Sequence, residues 1–170
     1  TIQGFLKRVT SFLKGYIDLY KTAGAAAVMI AEPSAAMISP DMMQEFSNIY
    51  VEEIIQDLQD AHFSVIYHNC GDVDRHLSVI AELPADGFHF GSGVSLDRAL
   101  RSIASDRLVM GNVDPRLFLS RTPQSAGEEA SRLISEYSGY ENFRLSTGCD
   151  LSPSASMDAI EAFLQAAGRR

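Results

Sequence analysis

Apolar side chains recur every three or four positions between residues 5 and 20, at Phe5, Val9, Phe12, Leu13, Tyr16, Ile17 and Tyr20. That spacing predicts a helix with one buried face, stopped near Gly24. The period then changes. Residues 26–33, "AAVMIAEP", form a short continuous apolar run broken by Pro33, which predicts a strand buried on both faces. Ser39 follows as an N-cap, Pro40 fits a first helical position and Asp41 suits the positive end of the dipole. A long helix is expected from there, with Met43, Phe46, Ile49, Tyr50, Ile54 and Leu58 as its apolar stripe.

The same rhythm repeats to the end of the chain. "FSVIYHNCG" (63–71), "DGFHFGSG" (86–93), "RLVMGNVDP" (107–115) and "FRLSTGCD" (143–150) read as strands. "VDRHLSVIAEL", "SLDRALRSIA", "TPQSAGEEASRLISEY" and "SMDAIEAFLQAAG" read as the helices between and after them, with Thr122, Pro123 and Ser156 at helix starts. Five strands, each followed by a helix, predict an α/β fold with a parallel sheet and right-handed crossovers. No linker or low-complexity segment interrupts residues 1–170, so one unit is expected.

A doubly wound sheet and a barrel both fit that alternation. No strand is followed by G-x-G-x-x-G, since "GSG" at 91–93 lacks the third glycine, and no Walker A sequence occurs. Glu32, His68, Asn69, Cys70, Asn112, Asp114, Cys149 and Asp150 all fall at the carboxyl ends of expected strands. Barrel enzymes assemble their sites from several such ends, whereas an open sheet binds mainly at one switch point. The spread over four strands favours a barrel. Five strands do not close one, so the chain reads as the later, C-terminal portion of a (β/α)8 barrel. A first residue of Thr1 rather than methionine suggests a processed chain or a fragment.

Charge narrows the partners. A net charge of −8, with lysine and arginine scattered, argues against nucleic-acid binding, and the terminal "GRR" reads as a frayed end. The longest apolar run, "AGAAAVMIA", is too short for a membrane span, and without a signal-type opening a cytoplasmic location is expected. The two cysteines do not make a disulfide framework, although a single Cys70–Cys149 bridge stays open as an alternative.

The chemistry gathers at "YHNCG". His68 and Cys70 are two apart on a strand, so both side chains point to one side. Cys149, from a later strand end, can face them across a barrel mouth. One imidazole and two thiolates suit zinc, and three protein ligands with an open fourth position describe a catalytic site rather than a structural one. The bland alternative is a core histidine beside a small buried thiol. Other histidines are less telling. His62 and His76 read as surface residues, while His89, alternating with Phe88 and Phe90, can point into the mouth as a substrate or cofactor contact. Asn112 and Asp114 read either as groups that orient substrate or as a turn closing their strand; Asp150 reads as either a support for the metal or a solvated carboxylate.

"YHNCGDVDRHLSVIAELPADGFHF", "VMGNVDP" and "STGCDLSPSASMDAIEAF" resemble the uroporphyrinogen decarboxylase superfamily, most of all its zinc-dependent corrinoid:thiol methyltransferases. "DMMQEFSNIYVEEI" resembles the helix after the fourth barrel strand there. The likeness covers nearly all of this chain and about the second half of a family member. It implies a zinc site at His68, Cys70 and Cys149, and methyl transfer from methylcobalamin or a corrinoid protein to a small thiol such as coenzyme M. "GNVDP" marks the superfamily more broadly, and Asn112 and Asp114 within it are the candidate catalytic residues. Relatives often carry an acidic residue after the strand that follows H-x-C, where this chain has Gly91, so a fourth protein ligand must come from elsewhere, with Glu32 the candidate. The alternatives are metal-free decarboxylation of uroporphyrinogen, and a zinc-binding fragment without turnover. A partial barrel leaves "AVMIA" and "FRLST" as edges, which predicts self-association of the chain.

Overall fold

The computed structural model describes residues 1–168. The frayed terminus expected at "GRR" lies, for Arg169 and Arg170, outside the described residues. Five parallel strands form one sheet: β1 (Ala27–Ala31), β2 (Ser64–Asn69), β3 (Gly87–Phe90), β4 (Leu108–Val113) and β5 (Phe143–Thr147). Their spatial order is the chain order, β1-β2-β3-β4-β5. A doubly wound sheet reverses its order at a switch point; this one never does. The chain is therefore an arc of a (β/α)8 barrel, its strands alternating with helices.

Alternation along the strands separates two faces. Val65, Tyr67, Phe88, Phe90 and Val109 are buried and form the hydrophobic core. His68 and His89 belong to the other face, paired in register, with Ala31 beside His68 and Met110 beside His89. Met29, two residues before Ala31 on the edge strand, is 47% exposed. The expectation that β1 is buried on both faces is corrected accordingly: Ala27, Met29 and Ala31 are exposed while Val28 and Ile30 are partly covered.

The helices are α1 (Ile2–Thr22), α2 (Pro40–Met43), α3 (Ile49–Leu58), α4 (Leu77–Ile80), α5 (Leu96–Ser102), α6 (Gln124–Tyr137) and α7 (Met157–Ala167). Thr1 caps α1 by accepting from the Gly4 amide, so the helix starts before residue 5. Its face is a second correction. Ile17 is buried, but Phe5 and Phe12 are 67% and 70% exposed, and Tyr16 and Tyr20 stand beside them in the open. The apolar periodicity of α1 is wider than its contact with α3, and half of it remains uncovered.

Ser39 caps α2 by accepting from Met42 N at 3.2 Å. Between α2 and α3, Gln44–Asn48 winds as a π-helix. The extra residue in that turn rotates the buried face. Ser47 and Asn48 turn inward, while Ile49, expected inside, is exposed. After β2 the helix is shorter than expected, a 3-10 turn over Asp74–His76 followed by α4. His76, expected at the surface, is fully buried, and its Nε2 donates to the Ile38 carbonyl at 2.7 Å. Ser156 occupies the N-cap position of α7, but its hydroxyl makes no capping bond. No helix is long and apolar enough to cross a membrane among the described residues.

Candidate metal centre

Two strand ends, those of β2 and β5, bring together His68, Cys70 and Cys149. One ligand atom from each lies within 4.8 Å of the other two. His68 Nε2 is 3.9 Å from Cys149 Sγ. Around a tetrahedral zinc ion with the usual bond lengths, sulfur and nitrogen ligands sit about 3.6–3.8 Å apart. The imidazole and one sulfur already stand close to that edge length, and the Cys70 sulfur lies within 4.8 Å of both. Both cysteines are free thiols, Cys70 exposed and Cys149 partly so. Desolvation, then the adjacent Cys149 sulfur, pushes the Cys70 thiol up; a dication is what would relieve that repulsion.

β3 and β4 lie between β2 and β5, so closeness of Cys70 and Cys149 needs an explanation. Glycine supplies it. A Cβ on Gly91 would fall 2.4 Å from the Cys70 carbonyl oxygen, and one on Gly148 would fall 2.7 Å from Ser92 N. Main chain packs against main chain at both places, so the loop after β5 draws in over the end of β3. The same contact accounts for the missing acidic residue at 91. No side chain fits there.

Asn69 fixes the loop between the two β2 donors. Its Nδ2 donates to the Glu32 carbonyl at 2.6 Å, and its Oδ1 accepts from Gly71 N at 2.9 Å. The Glu32 amide in turn donates to the His68 carbonyl. Sequence reasoning placed Asn69 among the polar strand ends without giving it this part; its position between two candidate ligands was the available signal.

His89 opens onto the same cleft, but both ring nitrogens are engaged with the protein. Nδ1 is 2.7 Å from His68 Nδ1, and Nε2 is 2.8 Å from the Thr147 carbonyl oxygen and 3.1 Å from Ser146 Oγ. Burial, then the neighbouring His68, holds the His89 imidazolium pKa below the usual histidine range. The cleft has a volume of ≈470 Å³; Met29, Ala31, Pro33 and Leu151 form its apolar wall, and exposed Asp150 stands at its rim.

Three expected site residues stand apart from the cluster. The Glu32 carboxylate accepts from the Ser47 hydroxyl on the neighbouring helix, and burial raises its pKa. Its side chain is not among the converging donors. Asn112 donates to the Gly91 and Val94 carbonyls at 3.0 and 2.7 Å. Asp114 caps the 3-10 turn Pro115–Leu119 and pairs with Arg116 at 2.5 Å, an interaction that holds its carboxyl below the usual range. Both line a different, polar cleft between β3, β4 and α6. In this geometry Asn112 and Asp114 make the turn that closes β4.

Comparison with known proteins agrees with this architecture. The family model described as "Uroporphyrinogen decarboxylase (URO-D)" matches residues 1–170. The chain belongs to the uroporphyrinogen decarboxylase family. The uroporphyrinogen decarboxylase of Chlorobium luteolum is 28% identical over 137 residues, covering 78% of this chain and 38% of that protein. That of Thermoplasma acidophilum is 24% identical over 165 residues, 96% of this chain and 47% of that protein. The chain thus spans less than half the length of these decarboxylase-family relatives. A methyltransferase from Methanosarcina mazei has the same fold, with a TM-score of 0.81 at 22% identity over 93% of this chain and 46% of that one.

Proposed function

We propose that His68, Cys70 and Cys149 hold a zinc ion, and that the protein to which this chain belongs transfers a methyl group from a corrinoid to a small thiol. The observation that carries the proposal is the convergence of two sulfurs and one imidazole nitrogen within 4.8 Å at the carboxyl ends of barrel strands. That donor set fits zinc, with its preference for sulfur and nitrogen and a tetrahedral shell. Three donors leave a fourth position for substrate, since the Glu32 carboxylate, held by Ser47, stands apart from them. When bound, zinc would supply a Lewis acid that keeps a substrate thiol in its nucleophilic thiolate form.

The chain's own residues do the rest. Asn69 sets the spacing of His68 and Cys70 through Glu32 and Gly71. Met29, Ala31 and Leu151 offer an apolar wall on which a thiolate is poorly hydrated. The partners of this reading are a corrinoid or corrinoid protein and a small thiol, in the cytoplasm, and the activity is that of the whole protein. Its methyltransferase neighbour of the same fold agrees with the reading.

Metal-free decarboxylation of uroporphyrinogen is the competing reading, favoured by the names of the curated relatives. Metal analysis separates the two. The purified chain is expected to carry one zinc per molecule, and Cys149→Ser to lose most of it with helix content unchanged. Full occupancy in that variant removes the basis of the site.

A further inference from the structure

His68 and His89 lie side by side on β2 and β3, ring centroids 4.6 Å apart, and each has a main-chain carbonyl at one ring nitrogen. His68 Nδ1 is 3.0 Å from the His89 carbonyl oxygen, and His89 Nε2 is 2.8 Å from that of Thr147. A carbonyl oxygen only accepts, so each of these nitrogens must carry a hydrogen. A neutral imidazole has one N–H, and the other nitrogen of each ring is then bare. For His89 the bare atom is Nδ1, which lies 2.7 Å from His68 Nδ1 and accepts the same N–H. A second hydrogen on His89 would set two N–H groups head to head at that distance. For His68 the bare atom is Nε2, the one 3.9 Å from Cys149 Sγ.

We infer that His89 is a positioning residue: the chain of hydrogen bonds from the Thr147 carbonyl through His89 to His68 fixes His68 as its Nδ1–H tautomer and aims the Nε2 lone pair at the two cysteine sulfurs. Both rings are buried, so neither nitrogen pair exchanges its partner for water. Ser146 Oγ, 3.1 Å from His89 Nε2, shares the far end of the chain. The tautomer assignment stands on geometry alone; its consequence for metal affinity rests on the zinc reading above. Groups that orient a ligating histidine in this way typically contribute about 10–100-fold in metal affinity.

Two measurements test it. In the metal-free chain with ¹⁵N-labelled histidine, long-range ¹H–¹⁵N spectra are expected to place the His68 hydrogen on Nδ1, with a scalar coupling across the hydrogen bond to His89 Nδ1. A hydrogen on His68 Nε2, or no coupling, overturns the inference. Zinc affinity by competition with a chromophoric chelator is expected to fall about 10-fold or more in His89→Phe and to recover largely in His89→Asn, which keeps an acceptor near the Nδ1 position. Equal affinities in all three chains, or equal losses in both variants, overturn it. A wild-type chain that shows the coupling but binds no zinc supports the tautomer and refutes the metal reading instead.

Discussion

Zinc at His68, Cys70 and Cys149 would tie the end of β2 to the loop after β5, two strands that do not pair with each other. Cys149 lies far along the chain from His68 and Cys70, and only the folded sheet brings all three donors within 4.8 Å. The unfolded chain offers no such cluster, so binding is linked to folding. A ligand selective for the folded state stabilises it by about 2.7 kcal/mol at a free concentration one hundred times its Kd. For a chain of 170 residues, each kcal/mol moves Tm by about 2–4 °C. Buffered free zinc at that level should therefore raise Tm by about 5–11 °C over the chelator-treated chain. Cys149→Ser, a near-isosteric change at a partly exposed position, should leave the metal-free Tm alone and abolish most of the zinc shift. Differential scanning calorimetry at fixed protein concentration reads both. A wild-type shift below about 1 °C, or an undiminished shift in the variant, refutes the shared site.

Alkylation of Cys70 and Cys149 should be suppressed by zinc and restored for both together by a chelator; independent reactivity would mean that they share no metal. Gly91→Ala, whose Cβ would fall 2.4 Å from the Cys70 carbonyl oxygen, should force the strand ends apart and weaken zinc binding by about 10-fold or more, measured by chelator competition; unchanged affinity would show that the close approach is not what joins the cysteines. The chain should self-associate at micromolar concentration through the exposed aromatic face of α1 and the edge of β1, and Phe12→Glu with Met29→Lys should lower its light-scattering mass. A wild-type chain that stays monomeric under those conditions contradicts this.

The β/α alternation was legible because each strand is a short apolar run and each helix has its own period. Fold class and strand order followed from it. The convergence of His68, Cys70 and Cys149 was legible too, since H-x-C fixes two donors on one side of a strand and "STGCD" marks another strand end. What the pattern could not supply was how much of each apolar face is covered. Periodicity gave α1 a buried face, yet Phe5 and Phe12 stand in solvent, because a helix's own sequence records where its apolar residues are and not what packs on them. The π turn at Gln44–Asn48 left no local signal and moved Ile49 outward. His76 looked like a polar residue on a surface helix; it is buried because its ring reaches the Ile38 carbonyl, a contact between segments far apart in sequence. Asn112 and Asp114 fall at a strand end as well, and only their bonds to Gly91, Val94 and Arg116 show that they build the turn after β4, apart from the three converging donors.

The location of the trio follows from how a parallel arc is built. Register places His68 beside His89 on the face opposite the helices, and the period of two carries Cys70 to the same side. Reaching Cys149 requires the loop after β5 to pass over β3, which is possible only where β3 ends without a side chain. Gly91 therefore does two things at once. It lets the second sulfur in, and it leaves no room at that position for an acidic side chain that could complete the shell of a bound metal. The convergence of two sulfurs and one imidazole nitrogen thus rests on close backbone contacts at Gly91 and Gly148. Restoring a carboxylate at residue 91 would not simply add a ligand, because the side chain that carried it would displace Cys70 first.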